Sequence, residues 1–529
     1  MTHTGGASER SFLLPTQFMQ GDHDGRHQQR ISEPKSTDPR SANYCTRDPD
    51  AAYPPIYTPI TRRKLSNIRA HLLHGFLLLL VLLALLVFGY SIVTHRDVRA
   101  NDPLRHVRSA RPVDSDNYDS GASFAPSAIQ KLWAVYAPYS SVEVYEPPPE
   151  DCRVTQVNIL QRHGARYPML KHSIRIAKAL SRLQSAESFI DNRLRFITNY
   201  RYDLGVNDLI PFGESQSYES GRKSFARYSK LANGDNLPFV RASGSDRVVQ
   251  SALKWIEGFA TGSGGVLQPP LALILPQGGY NNTLEDKSCP NLDRPLGQVR
   301  EWQSRYAQPI ADRLNAAARG MPKNLTAEDA EALIELCTME TLAVEEYSRF
   351  CELFSKEEFE GFEYSVDLEK FYFTGHGSQL GPVEGVGYVN ELLARLVGQP
   401  VQDRTQTNLT LDSNPETFPL GRGMYADFSH DNLIVAVVSA MGLFNNHRMG
   451  DTSNTGVLDP EKLDRSRAWF LSRIVPFSGR MVVERMECGI PFNDEAVGYD
   501  DSAGVKERQR RRAERNDSVY VRILMNDAV

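Results

Sequence analysis

The chain has 529 residues and a formal charge of −5, with 41% hydrophobic, 24% charged and 9% aromatic residues. That balance supplies a large core and excludes both a basic nucleic-acid binder and a disordered acidic chain. Its 37 Gly and 31 Pro follow no period, which excludes collagen-like and solenoid architectures, and six cysteines leave room for a few bridges without making a disulfide scaffold.

Residues 1–70 are rich in Pro, Ser, Arg, Gln and Asp and poor in apolar clusters, which predicts a disordered tail. Residues 72–93 then read LLHGFLLLLVLLALLVFGYSIV without a formal charge. At about 1.5 Å rise per residue such a helix reaches roughly 33 Å, enough for a hydrocarbon layer of about 30 Å, so a transmembrane signal-anchor helix is expected over 71–94. A buried core helix would need apolar partners on every face, and a cleavable signal peptide would not follow so long a polar segment. Basic residues tie across the span, with Arg62, Arg63, Lys64 and Arg69 before it and Arg96, Arg99, Arg105 and Arg108 after it. The glycosylation sequons favour one orientation: Asn281, Asn324, Asn408 and Asn516 all follow the span, as do five of the six cysteines. The expectation is a single-pass type II membrane glycoprotein, with a cytosolic tail and a lumenal or extracellular body.

A linker over 95–125 leads to a globular region over 126–529. Residues 154–160 (VTQVNIL) predict a strand, and after a polar turn Ile174, Ala177, Leu180 and Leu183 recur at helical spacing. Residues 433–443 predict a buried helix opened by Asp431, and Asp459-Pro460 predicts a second helix through 474, with Asp as cap and Pro at the first position. Residues 480–487 and 519–525 read as strands, joined by a polar segment whose basic run over 506–512 is a solvated loop.

The strand-loop-helix unit carries Gln161-Arg162-His163-Gly164-Ala165-Arg166-Tyr167-Pro168, in which guanidinium groups bracket an imidazole at the kind of loop that binds anions. Arginine matches phosphate oxygens with paired donors, and Gly lets backbone approach closely. The spacings His-Glu-x-x-His, Cys-x-x-Cys and Gly-x-Ser-x-Gly do not occur, so zinc-hydrolase, redox and serine-hydrolase chemistry lack their motifs, and no metal or cofactor is expected.

RHGARYP resembles the signature of the histidine acid phosphatases, in their fungal phytase branch. The likeness continues in order through Asp208-Leu209-Ile210-Pro211-Phe212-Gly213-Glu214, Arg241-Ala242-Ser243-Gly244-Ser245-Asp246-Arg247-Val248, Gly381-Pro382-Val383-Glu384-Gly385-Val386-Gly387-Tyr388 and Tyr425-Ala426-Asp427-Phe428-Ser429-His430-Asp431-Asn432. The resemblance implies an α/β fold, with a phosphoglycerate-mutase-like mixed sheet flanked by helices and a smaller, mostly helical cap contributed mainly by 190–370. It also implies His163 as the nucleophile that becomes a phosphohistidine, and Asp431 as the acid that protonates the leaving alkoxide. Arg162, Arg166, Arg241 and His430 are implied as phosphate donors. Lys171 and Lys370 are candidates for outer phosphates, although a solvated lysine is the commoner outcome, and His376 matches a structural turn. Phosphate monoesters, inositol phosphates foremost, are the implied substrates, with no nucleic acid. The alternatives are a broad-specificity acid phosphatase and a catalytically weak, membrane-tethered binding or scaffold protein. By the same resemblance Cys152 pairs with Cys488 and Cys337 with Cys351. That leaves Cys289 free, paired between chains, or paired beyond Val529, and Cys45 reduced in the tail.

Overall fold

The computed structural model describes residues 123–278, 281–286, 288–292, 296–403, 406–445, 456–489 and 518–529. The tail, the expected span over 71–94, nearly all of the linker, Cys45, Asn516 and the basic run lie outside the described residues. Among the described residues no helix is long and apolar enough to cross a membrane.

The strands are β1 (Cys152–Arg162), β2 (Ser188–Phe189), β3 (Phe239–Ser243), β4 (Leu271–Leu275), β5 (Ala318–Arg319), β6 (Met424–Ser429), β7 (Arg480–Cys488) and β8 (Ser518–Met525). Among the described residues the α-helices of eight residues or more are α1 (Leu170–Gln184), α2 (Pro211–Tyr228), α3 (Asp246–Gly262), α4 (Leu296–Ala317), α5 (Ala327–Val344), α6 (Lys356–Phe373), α7 (Val383–Val397) and α8 (Asp431–Ala440). Side chains alternate across a strand, and β1 shows the consequence: Val157 and Ile159 enter one apolar cluster while Leu160 enters the other. A strand buried on both faces needs a layer on each, and the chain supplies one. Trp255 and Phe259 of α3 with Tyr228 of α2 cover the first face, and Leu433, Ile434, Val435, Val437 and Val438 of α8 belong to the cluster on the second.

The main sheet has the order β4-β3-β6-β1-β7-β8. Strands β4, β3, β6 and β1 run parallel, and β7 and β8 close the far edge antiparallel. The fold is therefore the expected α/β arrangement of a mixed sheet flanked by helices. Because β3 and β4 join the sheet and α2 and α3 lie on it, the span 190–370 contributes to the sheet layer as well as to the helical layer of α4, α5 and α6. Within that helical layer α5 and α6 begin with reciprocal caps, Thr326 with Asp329 and Ser355 with Glu358.

Disulfides join Cys152 to Cys488, register partners on β1 and β7 with Cα atoms 4.0 Å apart, and Cys337 to Cys351, 4.9 Å apart. Cys289 is buried and is itself disulfide-bonded, which removes the free thiol from the three alternatives expected for it.

Two predicted elements differ. The helix after the RHGARYP loop forms, but Ile174 is 60% exposed and the buried face is Ile176, Ala179, Leu180 and Leu183. The helix expected over 459–474 is reduced to a single turn, Leu471–Ile474. Asp459 Oδ1 accepts from Glu461 N and Asp464 Oδ1 from Ser466 N, local turns that compete with helix. The hydroxyls of Tyr372 and Tyr364 donate to the carbonyls of Leu458 and Asp459, giving that backbone partners outside a helix.

Candidate active site

Parallel strands deliver their C-terminal ends to one edge, and the edge formed by β4, β3, β6 and β1 holds a cleft of about 170 Å³. Register brings the chemistry together. Arg162, the last residue of β1, pairs with Ser429, the last of β6, and His163 N donates to Ser429 O at 3.1 Å. The next residue on each strand is a histidine, so the rings of His163 and His430 meet edge to face with centroids 5.6 Å apart.

The loop from His163 to Pro168 is held from three sides. Tyr167 N donates to Asp208 O, and Ile210 N to Ala165 O. Gln216 Oε1 of α2 accepts from Ala165 N at 2.9 Å, and Ser251 Oγ of α3 accepts from Gly164 N at 3.0 Å. The DLIPFG block is thus a brace for the RHGARYP loop. A Cβ on Gly164 would lie 2.1 Å from Gly213 O, and one on Gly213 would lie 2.0 Å from Ala165 O, so this approach requires glycine on both sides.

His163 is 1% exposed and its Nδ1 lies 2.8 Å from Gly164 O. A carbonyl only accepts, so Nδ1 carries the proton and Nε2 keeps its lone pair. Burial, then the charges of Arg162, Arg247 and Arg166, hold this imidazole well below its ordinary pKa, which keeps it neutral and nucleophilic.

Arg162 is completely buried, donates through Nη1 to the carbonyls of Val135 and Val475, and lies over the Phe477 ring. Burial pushes its guanidinium down to about 10 even with Asp431 nearby. Arg247, from the first turn of α3, is likewise pushed to about 10, by burial and then by Arg166. The Nε and Nη2 of Arg162, the Nε of Arg166 and the Nε of Arg247 are buried with no hydrogen-bond partner among the described residues. A buried unmet donor costs about 1–3 kcal/mol. Several at one spot are free to meet the oxygens of an anion.

His430 immediately precedes α8 and lies between a carboxylate and a guanidinium: Glu285 Oε1 is 3.2 Å from Nε2, and Arg247 Nη2 is 3.2 Å from Nδ1. Burial works to raise the Glu285 carboxyl, yet hydrogen bonding to His430 and that ring's charge bring it to about 2. Asp431 opens the same helix on the cleft wall, and Lys370 and Arg162 outweigh its burial, so it lies well below the ordinary carboxylate range.

The cleft therefore brings together His163, Arg166, His430 and Asp431, with Arg162 behind them. Arg241 requires correction. It sits inside β3, is 1% exposed and is absent from the cleft lining. Its guanidinium is consumed by Asp427, its register partner on β6, and by Glu391, at 2.8 and 2.6 Å. The block's second arginine, Arg247, reaches the cleft instead. Its signal was available: it lies beyond the strand end, where a side chain can face the site. Sequence reasoning also passed over His172, whose Nδ1 lies 2.5 Å from Glu335 Oε1, and underweighted Lys370, which is buried in the cleft wall. Lys171 is exposed. His376 Nε2 bonds to Leu443 O and its ring packs on Trp469, in keeping with a structural turn. Of the sequon asparagines, Asn281 and Asn324 are exposed, and Asn408 caps a helical turn through Leu411 N.

The histidine phosphatase superfamily (branch 2) model matches residues 153–526. Phytase A of Aspergillus fumigatus is 39% identical over 399 residues, covering 72% of this chain and 84% of that protein. Phytase A of Arthroderma benhamiae is 38% identical over 433 residues, covering 78% and 88%. Among solved structures, the phytase from D. castellii matches with a TM-score of 0.56 at 21% identity, covering 76% of this chain and 80% of that one. The apo form of the multiple inositol polyphosphate phosphatase from Bifidobacterium longum matches with a TM-score of 0.50 at 14% identity, covering 75% and 92%.

Proposed function

The chain belongs to the histidine phosphatase superfamily, branch 2, as a phytase-like histidine acid phosphatase, and we propose that it hydrolyses inositol polyphosphates through a phosphohistidine on His163. The observation that carries this reading is the lone pair of His163 Nε2 set among unpartnered guanidinium donors. In the first step Nε2 forms a bond to phosphorus while the ester P–O bond breaks, and Arg162, Arg166 and Arg247 meet the equatorial oxygens where charge collects. Asp431 gives its proton to the leaving oxygen, and water then releases phosphate from the imidazole. Lys370 and His172 on the cleft wall suit a substrate with more than one phosphate. The phytase relatives and the inositol polyphosphate phosphatase neighbour support the same substrate class.

For its setting, the uncharged run over 72–93, the sequons after it and the disulfides of the body support a type II membrane anchor with the catalytic body in an oxidising compartment. The decisive assay compares wild type and His163→Ala on inositol hexakisphosphate and on p-nitrophenyl phosphate. Wild type should turn over both, the inositol ester with the higher kcat/KM, and the variant neither. Undiminished hydrolysis in the variant would remove the nucleophile, and a preference for the aryl ester would point to a broad-specificity phosphatase.

A further inference from the structure

Asp431 must gain a proton before it can give one away, and the cations beside it oppose that. Lys370 Nζ lies 3.1 Å from Asp431 Oδ2, and Arg162 Nη2 lies 3.6 Å from the same oxygen. Lys370 is fixed where it stands. It comes from the last turn of α6, is 8% exposed and donates to Asn432 Oδ1 at 2.6 Å, while Asn432 Nδ2 donates to Asp286 Oδ2 at 2.8 Å. The residue after the acid thus anchors the lysine that touches the acid.

We propose that Lys370 is a positioning residue for the acid step: it holds Asp431 as a carboxylate in the free enzyme, and an arriving phosphoryl group competes for Lys370 and Arg162, so Asp431 is protonated only on the loaded enzyme. This deepens the phosphatase reading and rests on it. The other charged or titratable groups around Asp431 are His163 and Arg166 from the loop after β1, His172 from α1, Tyr136 from the segment before β1, Arg247 from α3, its neighbour His430, Glu285 and Asp286 from the segment after β4, and Glu369 beside Lys370. Cations outweigh the burial of Asp431 in the free protein, with Lys370 foremost among them. A substrate dianion changes that balance by adding negative charge beside Oδ2 and occupying the unpartnered Arg162 donors. The proton comes from solvent to the Asp431 carboxyl and ends on the ester oxygen, which departs with the electrons of the broken P–O bond. The new bond is N–P at His163.

The test is the pH profile of Lys370→Met and Lys370→Arg on two substrates that ask different things of the acid. Glycerol phosphate has an alkoxide leaving group that needs a proton, whereas p-nitrophenyl phosphate releases a stable phenolate that does not. Removing the ammonium raises the Asp431 pKa of the free enzyme, so the alkaline limb of kcat/KM for glycerol phosphate should move up by about 1 to 3 pH units in Lys370→Met and stay near wild type in Lys370→Arg. The limb for the aryl ester should stay put. Raised KM for both esters with unmoved limbs would make Lys370 a phosphate ligand only and overturn the proposal. Should Lys370→Met fail to fold, carboxyl ¹³C titration of the wild type serves instead. Asp431 should titrate below the usual carboxylate range and rise when inorganic phosphate is added, and an unchanged value would equally overturn the proposal. Failure of the phosphatase reading itself would show differently, as persistence of activity in His163→Ala.

Discussion

Arg241 and Arg247 stand six positions apart in one block, and the structure gives them opposite work. Arg241 points within the sheet layer to Asp427, which Arg395 also holds at 2.6 Å. Arg247 ends beside His430 with a buried Nε unspent. Truncating each should therefore separate stability from catalysis. Arg247→Leu should lower kcat/KM about 10²-fold to 10³-fold, the usual loss for a transition-state donor. Its thermal midpoint should hold or rise, because the substitution relieves repulsion with Arg166. Arg241→Leu takes the guanidinium from buried Glu391 and leaves Asp427 with Arg395 alone, which should cost about 3 to 5 kcal/mol of stability, while the folded fraction keeps a near-normal kcat. Urea melts and steady-state kinetics on both variants check this, and the reverse pattern would reinstate Arg241 at the phosphate. The motif told which block mattered. Only the strand's end told which arginine, because side chains inside a buried strand face the adjoining layers and those past its end face the edge.

The strand-loop-helix unit was readable because its period changes where its role changes, from the apolar β1 to the polar loop to the amphipathic α1. What could not be read was the partner that braces the loop, since the segment from Asp208 into α2 arrives from some forty residues downstream and meets it through the backbone of Asp208 and Ile210 and the Gln216 side chain. Pattern also failed at 459–474, where an Asp-Pro start looks helical in isolation but Asp side chains and tyrosine hydroxyls satisfy the backbone in turns. The brace makes its own prediction. In Gly213→Ala the added Cβ would press on the Ala165 carbonyl, so α2 or the loop must shift by several tenths of an ångström or more. A displacement of about 1 Å at a reacting group costs about 10²-fold in rate, so kcat should fall by roughly that much together with the thermal midpoint. Normal kcat in Gly213→Ala would show that the loop holds its shape without α2.

Among the described residues, two sets of buried carboxyl groups bound the pH range of the fold. Burial works to raise Asp427, but Arg241 and Arg395 outweigh it and bring the group to about 2, and Glu285 is likewise at about 2. Such groups stabilise the fold above the unfolded carboxyl pKa of about 4, and the contribution, about 2 to 3 kcal/mol for a shift of that size, is lost as pH falls toward 2. Glu384 behaves oppositely. Burial raises it to about 7 despite hydrogen bonds from Ser288 N and Cys289 N, and burial likewise raises Glu363 and Asp412. Between about pH 4.5 and 7 the folded protein binds protons at these groups that the unfolded chain does not, so stability declines as pH rises through that window. The two slopes meet on the acidic side, and urea unfolding of the body should show maximal stability near about pH 4 to 5. That is where a general acid such as Asp431, held low by Lys370 and Arg162, has protons to draw on. A stability maximum at or above neutral pH would mean that the raised set does not stay protonated in the fold. Retention of full stability down to pH 2 would mean instead that the guanidinium clamps on Asp427 hold it ionised well below the pH at which an ordinary carboxyl takes its proton.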